Sequence, residues 1–211
     1  MIDEELGTRE GHHGSHVQES QVKHSLWGTS IRFTLVTAVL FGLGYPLLMT
    51  GLAQLLFPHQ ANGSLVKLPN GQIIGSEIIA QSFTSDKYFH PRPSDAGNGY
   101  DATSSGGSNL AQSNAKLAQR MQADIDKLVA ENPGKPVPID AVTYSASGLD
   151  PDITPDNAYF QAPRVAKARG LTEAAVQKLI EEHIQGRTLG LLGEPRVNVL
   201  DLNLALDGAA K

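Results

Sequence analysis

Residues 1–24, "MIDEELGTREGHHGSHVQESQVKH", are polar and follow neither a helical nor a strand period. Such a segment buries too little apolar surface to offset the entropy of ordering, so a disordered tail is expected. The pattern changes abruptly at residue 33. The 25 residues "FTLVTAVLFGLGYPLLMTGLAQLLF" (33–57) contain no charged side chain; Tyr45 and Gln54 are their notable polar members. As a helix this run extends about 37 Å, enough to cross a hydrocarbon core of roughly 30 Å with some tilt. A soluble helix of that length keeps a polar face. A signal peptide has a shorter apolar region near its start and a small-residue cleavage site after it. Here 32 residues come first and "LLFPHQ" follows. The expectation is a tail at 1–27, a retained membrane helix at 28–57 and a folded domain at 58–211.

Beyond Pro58, the β-branched runs in "SLVKLPNGQIIGSEII" flank Pro69-Asn70-Gly71, which predicts a hairpin. The stretch "FHPRPSDAGNGYDATSSGGSNL" (89–110) then supplies prolines, glycines and hydrogen-bonding groups but almost nothing apolar. It predicts a long loop, stiffened before each proline and free to turn at its glycines. Ser108 or Asn109 can cap a following helix whose apolar face is Leu110, Leu117, Met121, Ile125 and Leu128. "NPGKPVP" (132–138) ends it. A strand is expected at 141–147. Thr154 before Pro155 opens a helix that Pro163 should interrupt. Thr172 caps another that ends near Gly186, and a strand at Val197–Leu200 precedes a final apolar turn. The predicted class is therefore α+β: one N-terminal transmembrane helix and a compact mixed α+β extracytoplasmic domain.

The extracytoplasmic placement rests on charge. Lys23 and Arg32 flank the span on its N-terminal side, against Lys67 on the other, which predicts a cytoplasmic N-terminus. A net charge of −5 with no basic cluster speaks against a nucleic-acid partner. With no cysteine, disulfides and thiolate metal sites are excluded. The histidines at 12, 13, 16 and 24 lack a second ligand group of fixed geometry, so no metal site is expected there. No G-x-x-x-x-G-K-[ST], H-E-x-x-H or G-x-S-x-G sequence occurs.

Three features remain as candidates. Ser30, Thr34, Ala38 and Gly42 recur every four residues, with Pro46 continuing the register, and such a stripe of small side chains lets another helix approach closely. Ser105, Gly106, Gly107 and Ser108 could expose amides to a phosphate before a helix, although a simple capped turn is the commoner use of such residues. His90 and Arg92 lie in "HPRP". An arginine beside proline there, as at 164 and 196, is expected to pin a loop to a carboxylate more readily than to bind an anion.

Several segments carry a resemblance. "YFHPRPS" (88–94), "SSGGSNLAQSN" (104–114), "SGLDPDITP" (147–155), "QAPRVAKARGL" (161–171) and "LGLLGEPRVNVLDLNLALD" (189–207) together resemble the C subunit of the Kdp potassium-transporting ATPase, over roughly residues 28–207. The resemblance implies a single-span subunit of a bacterial inner-membrane complex. Its implied partners are a channel-like K⁺-binding subunit, a P-type ATPase subunit and membrane lipid. It also implies a non-catalytic role in assembly and as a chaperone that raises the ATP affinity of the hydrolysing subunit. No stably bound cofactor is expected; ATP enters only through the partner. The P-type motif D-K-T-G-T is missing from this chain. An exported domain cannot touch cytoplasmic ATP, so indirect coupling is favoured over contact at 105–108. The shaped loop, with His90, Arg92 and Asn109, is instead expected to dock on the K⁺-binding subunit.

Overall fold

The computed structural model describes residues 15–208, with side chains from Leu26 onward. The chain divides after Ala61 into two units.

In the first unit, α1 (Ser15–Val39), a π-helical turn (Leu40–Gly44) and α2 (Tyr45–Leu56) follow one another without a break. A 31-residue stretch, Leu26–Leu56, is long and apolar enough to cross a membrane, and none of its most apolar window is buried within the chain. α1 begins well before the apolar run, so residues 15–27, expected in a disordered tail, are helical. They contain no glycine and no proline; extending a helix that is already nucleated costs little per residue. His12 and His13 lie outside the described residues. The π turn sits just ahead of Pro46, which has no amide to donate to Gly42. Tyr45 N–H donates to Leu40 O across the turn instead. A π turn takes up an extra residue. The four-residue register of the small side chains therefore holds through Ser30, Thr34 and Ala38 and is displaced at Gly42 and Pro46.

The first unit closes with α3 (Pro58–Ala61). The second opens at Asn62 and leads into the hairpin β1 (Leu65–Lys67) and β2 (Ile73–Ser76), paired antiparallel about Asn70-Gly71. Gly71 takes a left-handed φ of 83°, and Leu68 closes the turn by donating to Gln72 O at 2.9 Å. The expected hairpin is present.

A long irregular segment leads to α4 (Ala115–Glu131). Neither Ser108 nor Asn109 caps it. Asn109 is left-handed (φ 50°), which a right-handed helix cannot absorb, and Asn114 caps instead by accepting from Lys116 N–H. The expected strand at 141–147 is also absent. A 3₁₀ turn (Ile139–Ala141) runs into a loop whose carbonyls are taken by side chains and loop amides rather than by a ladder.

The rest is regular. β3 (Asp152–Ile153) leads through Thr154, which caps α5 (Pro155–Arg169). Thr172 caps α6 (Glu173–His183), after which come β4 (Ile184–Gln185), β5 (Arg196–Asn198) and α7 (Val199–Leu206). The three strands form an antiparallel sheet in the order β3-β5-β4. The predicted last strand is thus shorter and ends in a helix, because the Asn198 side chain accepts from Asp201 N–H and starts α7. Pro163 does not interrupt α5. It lies inside the helix, between Ala158 and Ala162 on one side and Val165 and Ala166 on the other, all buried. Their burial keeps the helix whole despite the missing amide. α5, α6, α7 and β5 enclose the core, with Ile180, Val197 and Leu202 fully covered. Its largest fully buried member, Phe89, comes from the irregular segment and is 0% exposed. The architecture is the expected α+β.

Candidate functional site

The segment that follows the hairpin is held in one shape by side chains from α5, α7 and the 140–150 loop. Phe89 is the anchor; burying a phenylalanine stabilises by roughly 2–3 kcal/mol. Around it the backbone is clamped twice. The Asn203 carboxamide accepts from Phe89 N–H (2.8 Å) and donates to Phe89 O (3.0 Å). Gln161 does the same at His90, at 2.8 and 3.0 Å. Gln161 also donates to Asn157 Oδ1, and Asn157 donates to Asp140 Oδ2, which accepts from Thr154 N–H as well. This buried chain ties the loop to the start of α5.

Two arginines fix the preceding turn. Arg164 donates to Glu131 (2.9 Å), to the carbonyls of Asp86 and Tyr88, and to Gln161. Arg169 donates to Lys87 O, Leu206 O and Asp207, and lies over the Tyr88 ring. Tyr88 donates its hydroxyl to Asp207 (2.9 Å), and that bond to a carboxylate pushes its pKa up.

The candidate residues of this segment are used in different ways. His90 is half-buried, with Nε2 3.2 Å from Ser85 O. Burial, then the nearby Arg164 charge, lowers its pKa below 6.5. Arg92 donates to Asp150 (2.8 Å) and more distantly to Thr143 O and Tyr144 O, the loop-pinning role expected of an arginine beside proline. Tyr100, left-handed at φ 57°, donates to Arg92 O (2.7 Å), and burial pushes its pKa up to about 12.

The Ser105–Ser108 turn packs along residues 145–148. Ser105 Oγ and Gly106 N–H both donate to Ser147 O at 2.9 Å. A Cβ at Gly107 would lie 3.0 Å from Ala146 O. Close packing explains Gly107, whereas a Cβ at Gly106 would meet nothing within 4 Å; with the α4 cap six residues beyond Ser108, no helix opens at this turn. Asn109 is exposed, with no side-chain bond described; Ser105 is exposed too but bonded to Ser147 O. In the first unit Ser30, Thr34, Ala38 and Gly42 are all exposed, and a Cβ on Gly42 would meet nothing within 4 Å.

One feature escaped the sequence reading. Between β4 and β5, Leu189, Leu191 and Leu192 are 87%, 81% and 63% exposed. They sit on a closed turn in which Thr188 and Leu192 exchange backbone bonds and Arg187 pairs with Glu194 (2.6 Å) across the base. Leu189 itself is left-handed (φ 55°), a strained state for a leucine. The signal was "LGLLG", apolar residues between glycines where a loop should be polar.

A helix long and apolar enough to cross a membrane, followed by an α+β unit whose irregular segment is clamped by side chains, is the fold of a membrane-associated protein. The chain belongs to the KdpC family: the family model described as "K+-transporting ATPase, c chain" matches residues 27–208. It is 57% identical over 180 residues to the potassium-transporting ATPase KdpC subunit of Koribacter versatilis, covering 85% of this chain and 93% of that one. The KdpC subunit of Acidobacterium capsulatum is 61% identical over 180 residues, covering 85% and 96%. That of Myxococcus xanthus is 55% identical over 181 residues, covering 85% and 86%. The chain is therefore an accessory subunit of the potassium uptake ATPase.

Proposed function

We propose that this subunit assembles the K⁺ pump and tunes its ATP use without hydrolysing ATP itself. In this reading its N-terminus is cytoplasmic and its domain lies outside the inner membrane. Its partners are a K⁺-binding channel-like subunit and a P-type ATPase subunit. The observation that carries the reading is the apolar helix Leu26–Leu56, none of whose most apolar window is covered by the rest of the chain. Within it Ser30, Thr34 and Ala38 keep one register of small side chains for a partner helix, and Gly42, displaced from that register by the π turn, adds a further small position. The clamped loop with His90, Arg92 and Asn109, together with the leucine turn at 189–192, supplies the extracytoplasmic docking surface.

ATP affinity is raised through the partner, by a coupling free energy between subunits rather than by contact at Ser105–Ser108. A tenfold gain needs only about 1.4 kcal/mol. The test is co-purification of the tagged chain with the other subunits, followed by the KM for ATP of the purified complex. Gly42→Ile fills a position open within this chain, and it should lower partner recovery while the domain stays folded by circular dichroism. Replacing Leu189, Leu191 and Leu192 by serine should do the same from the other surface. Normal recovery and an unchanged KM in both variants would refute the reading.

A further inference from the structure

We infer that the backbone carbonyl of Phe41, in the middle of the spanning helix, accepts a hydrogen bond from a polar side chain on a membrane helix of another subunit. The inference rests on the reading of Leu26–Leu56 as a span with a helical partner. It adds what that partner carries: an O–H or N–H donor at mid-membrane depth.

The π turn Leu40–Gly44 and Pro46 together leave this oxygen without its helical donor. In an α-helix Phe41 O would accept from Tyr45 N–H, four residues on. Tyr45 N–H donates to Leu40 O instead, and to no second carbonyl. Continuing the five-residue pattern of the π turn would assign Phe41 O the amide of Pro46, which has none. The neighbouring glycines keep the backbone open. A Cβ on Gly42 would meet nothing within 4 Å, and one on Gly44 only Val39 O at 3.7 Å.

Depth decides where the donor comes from. Phe41 is the central residue of Leu26–Leu56, so about 22 Å of helix separates it from either end. At a surface, water would bond such an oxygen. Lipid tails offer no donor, and an unpaired carbonyl in hydrocarbon is costly. A donor side chain on an adjacent helix is the group that answers it, and the open backbone at Gly42 and Gly44 lets that helix come close. A second copy of this chain is a poorer source, because the Thr37 hydroxyl, one turn away, is already bonded to Phe33 O at 2.8 Å.

Phe41-Gly42 is the only Phe-Gly step in the sequence. Labelling phenylalanine with carbonyl ¹³C and glycine with ¹⁵N therefore singles out the Phe41 carbonyl by NMR. Its carbon resonance should move downfield when the full chain is assembled with the other subunits, relative to the chain alone in detergent. Pro46→Ala restores an amide and lets Tyr45 N–H return to Phe41 O. It should lower recovery of the other subunits about three- to tenfold, as expected for loss of one interhelical hydrogen bond in a membrane. A resonance that assembly leaves unmoved, or undiminished recovery by Pro46→Ala, would overturn the inference. So would a resonance already downfield in the isolated chain, which would assign the donor to water or to a second copy. If Gly42→Ile lowers recovery while the Phe41 resonance stays unmoved, helix packing stands and this inference alone falls. If the parent chain recovers no other subunit, both fall.

Discussion

Asn203 and Gln161 hold two successive residues of one loop, Phe89 and His90, each with both ends of its carboxamide. Truncating Asn203 would leave a buried amide and carbonyl of Phe89 unpaired, at about 1–3 kcal/mol for each group. Nothing local in the sequence marks this role, because Asn203 and Phe89 are 114 residues apart. His90, between these clamps, makes stability depend on pH. Its pKa is lowered from 6.5 chiefly by burial and then by Arg164, against the opposing pull of Ser85 O, Glu131 and Asp86. Below 6.5 the unfolded chain therefore binds the proton more readily than the folded one. Its contribution is present above that value and is lost as pH falls through the lower, folded pKa. Asp152 and Asp201, both raised by burial, act in the opposite sense at lower pH. They are the same in a His90→Gln variant, so the comparison isolates the histidine. Thermal unfolding of the full chain from about pH 7.5 to about pH 5.5 should show a larger fall in midpoint for the parent than for His90→Gln. Parallel falls would remove His90 as the cause.

Among the elements, those set by local chemistry were legible. Thr154 and Thr172 each lie beside the amide they cap, so α5 and α6 begin where the sequence places them. The hairpin turn is equally local. α4 was misplaced because Asn109 turns left-handed among loops brought together from residues 94–109 and 143–150. The 141–147 segment has strand composition but no neighbouring strand, and its carbonyls serve Arg92 and Gly106 instead. Pro163 shows packing overriding propensity. A proline inside a helix costs about 3 kcal/mol or more, through the lost hydrogen bond and the clash with the preceding turn. Pro163→Ala restores an amide that can donate to Tyr159 O and removes the ring. Half-buried Pro163 itself contributes little core area beside Ala162 and Val165. The variant should be more stable by about 1–3 kcal/mol, seen as a higher thermal midpoint. An unchanged or lower midpoint would mean that the ring's own packing outweighs the missing bond.

For the whole molecule, the question that governs mechanism is which side of the membrane the domain occupies. The apolar span and the separate α+β domain were both legible, since one depends on composition and the other on periodicity. Orientation depends on few charges. Lys23 and Arg32 precede the uncharged run, whereas Lys67 is the near lysine beyond it. Positive charge is retained on the cytoplasmic side, so this asymmetry favours an exported C-terminus. The consequence is chemical. An exported domain meets no cytoplasmic ATP, and the Ser105–Ser108 turn, whose Gly106 amide already donates to Ser147 O, has no nucleotide to hold. Any effect on ATP affinity must then pass through the spanning helix and its partners as a coupling free energy. A reporter that is active only outside the cytoplasm, fused after Lys211, should be active, and a reporter active only inside should be silent. Replacing Lys23 and Arg32 with glutamine should shift part of the population to the opposite orientation. A fusion active in the cytoplasm would place the domain beside ATP, reopen direct contact at Gly106 and Gly107, and end the coupling account.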